Sequence, residues 1–367
     1  MRIAYMLTSL GVGGAERQVV ALAERMAARG HAVSLLVLRP RQSEEWPTTV
    51  ECIYLGMRKT PFSFLAGLDR ARRFLRAFKP ELIHSHVFPA NMAARLLRLL
   101  GSPPVLSTVH NVYEGSWLRM LAYRLTDSLS CSTTAVSQAA ANRYVRLKAV
   151  PAHKCSVVTN GVDTAEFDTD HERRDRLRDE VGAGDDFIWL TAGRIAPAKD
   201  YPNLLRAFAR MTEFDAHARL WVAGEGDVDE VDALTALAKE LGLHRRVSWL
   251  GLRRDMSALL DAADGFVLGS AWEGMPLAVG EAMAMETPVA ATDVGGVREL
   301  VGNAGVVVAA KDPESLAQAM LGLMRTSSES RGALGRSARE RIKTQFSMDA
   351  KADEWEALYR VLLEKKA

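Results

Sequence analysis

The chain is poor in cysteine and has no long hydrophobic run. Its three cysteines among 367 residues form no CxxC pair, which excludes a disulfide scaffold and a zinc ribbon. No apolar run is long enough to span a membrane. The apolar start, Ile3–Leu10, is too short for a signal peptide and lacks a cleavage-type end. We therefore expect a protein of the reducing cytoplasm.

The chain also has almost no net charge, but its charges are unevenly distributed. The formal net charge is +2. Residues 1–165 nevertheless carry 21 Lys and Arg against 10 Asp and Glu, whereas the remainder carries 26 basic and 35 acidic residues. The length suits two domains. The basic first half predicts a face that meets anionic partners.

Short apolar runs alternate with amphipathic stretches over most of the chain. The runs that predict strands are Ile3–Leu7, Ala32–Leu38, Leu82–Ser85, Val105–Val109, Cys131–Val136, Phe187–Ala192, Ala218–Ala223, Val247–Leu250, Gly265–Leu268, Val289–Thr292 and Val306–Val308. Strands that alternate with helices predict an α/β protein whose parallel sheets are covered on both faces. The polar stretch Asp163–Asp186 marks the domain boundary, as a linker or a short surface helix. The final amphipathic stretch, Met348–Leu363, is able to pack on either domain.

The strongest local motif is SAWEGMPL at residues 270–277, followed by Glu281. Pro276 suits the first position of a helix. Glu273 then lies in the preceding loop, and Glu281 lies roughly 7 Å further along the helix axis at ~1.5 Å per residue. Free N–H groups at a helix start bind phosphate, so a bound diphosphate can present a sugar to one carboxylate and a ribose to the other. The alternative is a solvated helix start with two surface glutamates.

Two cations follow another predicted strand. Arg194 comes directly after Gly193, and Lys199 lies five residues further on. Above a parallel sheet such a pair suits a diphosphate, because Arg binds phosphate in a bidentate manner and Lys acts as a point charge. An ordinary surface loop is the alternative. Glycine pairs also end strands at 224–226 and 295–296, at the edge where open α/β sheets bind ligands.

In the first half, the first strand runs into the turn GVGGAE at residues 11–16. This turn is either a phosphate-binding turn or a turn without a ligand. It is not the dinucleotide fingerprint, because Glu16 takes the third glycine position.

Three histidines lie at predicted strand ends. His110 is either structural or catalytic. His84 and His86 have the spacing of a metal pair, but we expect alternate strand residues to face opposite sides except at a strand end, and no Asp or Cys partner is nearby. We therefore predict a structural role for His84 and a position at the ligand edge for His86.

Taken in order, these motifs resemble the large retaining glycosyltransferase family four, which has the GT-B fold. The resemblance rests on residues 13–16, 160–163, 193–199, 272–283 and 295–299. Asp200 departs from the commonest pattern, which has Gly after the lysine, and we expect it to change the turn but not the cation.

The resemblance implies an α/β GT-B protein with two Rossmann-like domains facing a central cleft. Residues 1–165 would form the acceptor-side domain, and a C-terminal helix at about 348–363 would pack back on it. Residues 166–347 would bind the nucleotide sugar.

The resemblance also implies residue roles. Arg194 and Lys199 would neutralise the diphosphate, and Glu281 would hold the ribose hydroxyls. Glu273 and the backbone of Gly274, Met275, Pro276 and Leu277 would hold the sugar and phosphate. Gly13 and Gly14 would approach the phosphate from the other domain, and His110 would sit against the transferred sugar. Together with His110, the catalytic set is Glu273, Arg194 and Lys199.

No metal and no cofactor is implied, so Asp168-Thr169-Asp170, a DxD tripeptide in the polar stretch, is not assigned to a metal. Retention of configuration would follow from attack on the face that the diphosphate leaves. A covalent intermediate on Glu273 stays open.

The predicted partners are a nucleotide diphosphate sugar and a glycan or polyprenyl- or lipid-linked acceptor, with no nucleic acid. Residues 64–79 form a basic amphipathic helix, which suits either contact with an anionic membrane at the inner face or an ordinary core-facing helix. Trp117, Leu118 and Met120 would be a second contact patch. The predicted role is cell-surface polysaccharide or glycolipid assembly. A GT-B-type nucleotide-sugar epimerase and a catalytically silent GT-B partner subunit remain the alternatives.

Overall fold

The chain divides into two compact units. The computed structural model describes residues 1–11, 13–43, 45–169, 171–180 and 183–364. The first unit comprises residues 1–161 and the residues from Met348 onward, and the second comprises Val162–Ser347.

The first unit is built on a seven-stranded sheet. Its strands are β1 (Arg2–Leu7), β2 (Ala32–Val37), β3 (Cys52–Tyr54), β4 (Leu82–His86), β5 (Val105–Val109), β6 (Ser132–Ala135) and β7 (Cys155–Val157). They lie in the order β3-β2-β1-β4-β5-β6-β7, and all neighbours are parallel. The helices between them are α1 (Gly14–Ala28), α2 (Pro61–Phe78), α3 (Phe88–Arg98), α4 (Trp117–Leu125) and α5 (Gln138–Arg146).

Strand β1 is buried on both faces, because helices cover the sheet of this unit on each side. Ile3, Tyr5 and Leu7 pack in the core that contains α1, whereas Ala4 and Met6 face α2 and α3. Successive residues of a strand point to opposite faces, so a strand covered by helices on both sides reads as one continuous apolar run.

The second unit repeats this plan with six strands. Its elements are α6 (His171–Glu180), β8 (Phe187–Ala192), α7 (Tyr201–Phe214), β9 (Ala218–Ala223), α8 (Val228–Glu240), β10 (Val247–Gly251), α9 (Met256–Ala262), β11 (Gly265–Leu268), α10 (Leu277–Ala284), β12 (Val289–Thr292), α11 (Val297–Val301), β13 (Val306–Val308), α12 (Pro313–Arg325) and α13 (Ser328–Arg341). The sheet order is β10-β9-β8-β11-β12-β13, again with parallel neighbours.

The predicted strands are confirmed, all of them to within one residue at each end. The sequence patterns missed β3 and β7. Each has only three residues, all half-buried, at an edge of the sheet. The polar stretch after residue 163 contains a short helix, α6. Its Arg178 is held by an ion pair to Asp264 of 2.9 Å.

The last helix, α14 (Met348–Glu364), packs against α1 and belongs to the first unit. Its Trp355 and Tyr359 are part of the core around β1. The Tyr359 hydroxyl lies 3.0 Å from that of Tyr5 and 2.7 Å from Nδ1 of His84. This buried hydroxyl therefore joins the end of the chain to β1 and β4.

We predict that Tyr359→Phe destabilises the first unit. The change leaves two buried polar atoms without this partner, so the free energy of unfolding should fall by about 1–3 kcal/mol. Urea denaturation followed by circular dichroism measures the loss. Tyr113→Phe, at a residue 48% exposed, is the matched control and should change stability far less. Equal losses in the two variants would contradict the anchoring role.

Candidate functional site

A half-buried ion pair joins two loops at the carboxyl edge of the second sheet. Lys199 ends the 3-10 turn after β8, and Glu273 lies between β11 and α10. Lys199 Nζ donates to Oε1 of Glu273 at 2.7 Å, and the Ser270 hydroxyl donates to the same oxygen at 2.7 Å. Charge-assisted bonds of this length hold a carboxylate firmly. Within the described residues no hydrogen bond reaches Oε2, which leaves that oxygen for a ligand.

Backbone bonds hold a third loop against this pair. The Ala271 N–H donates to the Ala198 carbonyl at 2.8 Å, and the Gly296 N–H donates to the Gly274 carbonyl at 2.8 Å. At Gly295, φ is +56° and an added Cβ would lie 2.3 Å from the Glu273 carbonyl oxygen. Only glycine fits this approach. The loops after β8, β11 and β12 are therefore packed into one cluster.

Gly193 makes room for the lysine. Its φ is +149°, and an added Cβ would lie 2.6 Å from Cε of Lys199. The Tyr201 hydroxyl donates to the Gly193 carbonyl at 2.8 Å. The Lys199 side chain therefore packs against the Gly193 backbone, whose carbonyl oxygen is held by Tyr201.

The second predicted cation, Arg194, differs from Lys199 in its exposure and pairing. Arg194 is exposed, and its guanidinium makes no ion pair with any described residue. It is therefore available to an anion, whereas Lys199 already has a carboxylate partner. Asp200 adopts the left-handed conformation, with φ 45°, for which glycine is the usual residue. The departure from the family pattern at this position still allows a glycine-type turn.

Helix α10 begins one residue later than predicted. Pro276 is the N-cap and Leu277 is the first helical residue. The first-turn N–H groups of a helix have no partner within it, and this start directly follows the Glu273 loop. Glu281 is on the same helix and is only 5% exposed.

In the first unit, Gly13 caps α1 and Gly14 is its first residue, while Val12 lies outside the described residues. The Ser9 hydroxyl donates to Oε1 of Glu16 at 3.3 Å. A Cβ on Gly13 would lie 2.3 Å from the other carboxylate oxygen of Glu16. A carboxylate therefore covers the turn at which a phosphate was predicted, and a phosphate bound there requires the Glu16 side chain to rotate away.

The three histidines form one cluster, and one prediction about them is wrong. The rings of His84 and His86 lie 4.0 Å apart on the same face, because residues two apart in a strand share a face. His86 Nδ1 lies 2.9 Å from Nε2 of His110. Burial lowers the pKa of His110 to about 4 and the pKa values of His84 and His86 well below their usual range.

The basic helix predicted at residues 64–79 is part of α2, and its aromatic residues Phe64, Phe74 and Phe78 pack against the core. Its basic side chains are partly engaged, since Arg70 Nε donates to the Leu55 carbonyl at 2.8 Å. The ordinary core-facing interpretation therefore applies to most of this helix.

Two groups of exposed apolar side chains lie on helices α4 and α2 of the first unit. On α4 they are Trp117, Leu118, Leu121 and Leu125, and at the start of α2 they are Phe62 and Leu65. Met120, predicted to join the patch, packs instead against the core. No helix in the described part of the chain is both long and apolar enough to cross a membrane.

The tripeptide at 168–170 is only partly described, because Asp170 lies outside the described residues. Asp168 accepts a bond of 2.9 Å from Arg339. In the described ranges, no group of three His, Cys, Asp or Glu side chains is arranged to hold a metal ion.

Comparisons with known proteins identify the family. Residues 12–166 match the model of glycosyltransferase family 4, and residues 186–326 match that of the group 1 glycosyl transferases. The chain belongs to the family 4 glycosyltransferases. Its two parallel-sheet α/β units are those of the GT-B fold, and the predicted family and fold class are confirmed.

Three relatives of this glycosyltransferase cover between 78% and 98% of its length. An uncharacterized glycosyltransferase of Methanocaldococcus jannaschii is 26% identical over 96% of this chain and 95% of its own. The UDP-Gal:alpha-D-GlcNAc-diphosphoundecaprenol alpha-1,3-galactosyltransferase of Escherichia coli is 26% identical over 78% of this chain and 77% of its own. The crystal structure of Anabaena HepE with UDP-glucose is 20% identical, with a TM-score of 0.86, and covers 98% of this chain and 100% of its own.

Sequence reasoning missed several groups in this glycosyltransferase. Ser270 was part of a recognised motif, but nothing in the pattern indicated that its hydroxyl turns toward Glu273. The contact of Tyr201 with Gly193 has no sequence signal. The His86–His110 pair was within reach, because both residues end neighbouring parallel strands and such ends lie together.

We predict that Gly193→Ala impairs glycosyl transfer beyond its effect on stability. The new methyl group would displace the Lys199 stem, and Lys199 would lose its bond to Glu273. Activity should fall by roughly tenfold or more, in keeping with the loss of a hydrogen bond between charged groups. Gly242→Ala is the control, because Gly242 also has a positive φ, +72°, but open space around its Cβ. Equal activity in two equally stable variants would contradict this account.

Proposed function

We propose that this glycosyltransferase moves a sugar, with retention of configuration and without an essential metal, from a nucleotide diphosphate sugar to a hydroxyl of a glycan or lipid-linked acceptor. The observation that carries the proposal is the cluster of Lys199, Glu273 and Ser270 beside the start of α10. Together with the exposed Arg194 in the loop of Lys199, it combines a held carboxylate, two cations and a helix N-terminus at one sheet edge.

The positive groups of the cluster suit the leaving group. In the transfer, negative charge develops on the diphosphate as its bond to the sugar breaks. Arg194 is exposed and unpaired among described side chains, Lys199 is held in place, and the first turn of α10 offers N–H donors. Groups fixed in advance stabilise that charge without reorganisation. They supply the charge that a divalent metal supplies in other transferases.

The carboxylates of the cluster suit the neutral parts of the donor. Oε2 of Glu273 would accept a hydroxyl of the sugar, and the backbone of Gly274, Met275, Pro276 and Leu277 would hold the sugar and phosphate. The buried carboxylate of Glu281 would accept the ribose hydroxyls. From the first domain, we assign Gly13 and Gly14 to the phosphate and His110 to the transferred sugar, on the family resemblance.

The proposed reaction needs no covalent intermediate. The bond from the anomeric carbon to the diphosphate oxygen breaks, and the acceptor oxygen bonds to the same face of that carbon. The acceptor proton passes to the departing phosphate oxygen. Glu273 Oε1 is engaged by Lys199 and Ser270, which makes this carboxylate a better ligand than a nucleophile.

A panel of labelled nucleotide sugars tests the proposal. With a polyprenyl-diphosphate-linked glycan as acceptor, we expect acceptor-dependent release of the nucleoside diphosphate that persists in EDTA. The product anomer, read by NMR, should match that of the donor. An isomerised nucleotide sugar would indicate the epimerase, and no turnover with any donor would indicate a silent subunit. Nothing in the comparisons favours these alternatives, since the family models and the named relatives are transferases.

We predict that Glu281→Ala weakens nucleotide binding. Two ribose hydroxyls would lose a charged acceptor, so affinity for the nucleoside diphosphate identified in the panel should fall by about 1.5–3 kcal/mol. Glu281→Gln should fall between wild type and Glu281→Ala. Isothermal calorimetry measures the change, and Glu240→Ala, at an exposed position of the same domain, is the control. Unchanged affinity in Glu281→Ala would remove this residue from the site.

The acceptor proposal rests on the surface of the first domain. The α4 face is apolar and open to solvent, with Trp117 and Leu125 each 72% exposed, in the basic half of the chain. An interfacial helix with these properties binds anionic bilayers, such as the cytoplasmic leaflet. The E. coli relative named above acts on a diphosphoundecaprenol-linked sugar. A lipid-linked acceptor at the inner face of the membrane fits both observations.

We predict that wild type floats with anionic vesicles at low salt and is released as salt is raised. Replacing Trp117 and Leu121 together by Ser should lower partitioning roughly a hundredfold or more, at about 1.5–3 kcal/mol for each apolar side chain removed. Phe214→Ser, at a residue 65% exposed in the second domain, should float as wild type does. A wild type that stays with the soluble fraction would favour a soluble acceptor.

A further inference from the structure

His110 has a histidine as its hydrogen-bond partner. Nδ1 of His86 lies 2.9 Å from Nε2 of His110. His86 is the last residue of β4 and is buried, at 2% exposure, whereas His110 follows β5 and is partly exposed. Nδ1 of His110 is consequently the ring nitrogen left for a ligand.

Only one proton lies between the two rings. Burial keeps the pKa values of both histidines below their usual range, so both rings are neutral near pH 7. Either His86 donates from Nδ1 and His110 carries its own proton on Nδ1, or His110 donates from Nε2 and His86 carries its own proton on Nε2. The hydrogen bond that one ring nitrogen makes sets the protonation of the other.

The surroundings of His86 distinguish these two arrangements. Its Nε2 is buried and has no hydrogen-bond partner among the described residues. A proton on that atom would be a buried N–H without an acceptor, which proteins avoid more strictly than an unpaired acceptor. The neighbouring ring of His84 provides no acceptor for Nε2 of His86, because both nitrogens of His84 are already hydrogen-bonded, to Tyr359 and Thr108, at 2.7 Å each.

We propose that His86 is a positioning residue that donates from Nδ1 to Nε2 of His110, so that His110 presents an Nδ1–H donor to its ligand. Free neutral histidine prefers its proton on Nε2, and His86 therefore imposes the less common tautomer. The inference rests on the proposed function only in naming that ligand, a hydroxyl or ring oxygen of the transferred sugar. His110 then acts as a donor with a fixed ring orientation.

The tautomer is measured on the free, full-length protein. In a sample labelled with 15N only at histidine, eight imidazole rings contribute signals, and His110→Gln identifies those of His110. Long-range proton–nitrogen spectra distinguish the two tautomers. We expect His110 protonated on Nδ1 and unprotonated on Nε2. A proton on Nε2 of His110 overturns the proposal whatever the enzyme does, and the result stands even if no donor is found.

Two variants test the positioning role. In His86→Asn the amide nitrogen replaces Nδ1, whereas in His86→Gln it lies nearer to the position of Nε2. Both place a polar amide in the same buried space. We expect His86→Asn to keep turnover within about twofold of wild type and His86→Gln to lose about tenfold in kcat/KM for the donor, as for one lost hydrogen bond. Equal turnover in the two variants, at equal thermal stability, overturns the role of His86 while leaving glycosyl transfer intact.

Discussion

Every strand in the two sheets runs parallel to its neighbours, so the loops that follow the strands all lie along one edge of each sheet. Residues far apart in sequence meet there without any special contact to draw them together. Lys199 and Glu273 are 74 positions apart, yet they follow neighbouring strands, β8 and β11. The His86–His110 pair arises in the same way from β4 and β5. Both candidate clusters depend on this geometric constraint.

In the second domain, the parallel arrangement brings together a lysine and a glutamate, Lys199 and Glu273, whose charges cancel. Both side chains are half-buried, and the Ser270 hydroxyl donates to the Glu273 carboxylate. Arg194, in the same loop as Lys199, is exposed. Such an arrangement is stable without a ligand and still offers one free cation and one free carboxylate oxygen. A donor with a diphosphate and hydroxyl groups would engage both, the diphosphate at the cation and a hydroxyl at the carboxylate oxygen.

The first domain has a different chemical character. Its interior between β4, β5 and α14 contains histidine, tyrosine and threonine side chains joined by short hydrogen bonds. Its surface at α4 is unusually apolar. A buried polar network is most stable when each member is satisfied, so the lack of a partner for Nε2 of His86 among the described residues carries information about its protonation. An exposed apolar face such as that of α4 is typical of a surface that binds a membrane or a partner.

The sequence alone determined the parallel α/β plan, because a continuous apolar run such as Phe187–Ala192 indicates a strand that is buried on both faces. It also identified Lys199, Glu273 and Glu281 as site candidates, because motif spacing and helix geometry are local properties. The tertiary structure decided which of these groups touch. Periodicity gives no side-chain direction at a loop, so the bonds of Ser270 and Tyr201 and the position of the Glu16 carboxylate over Gly13 could not be predicted from it. Those features depend on what packs opposite each residue, and the opposite partner is distant in the chain.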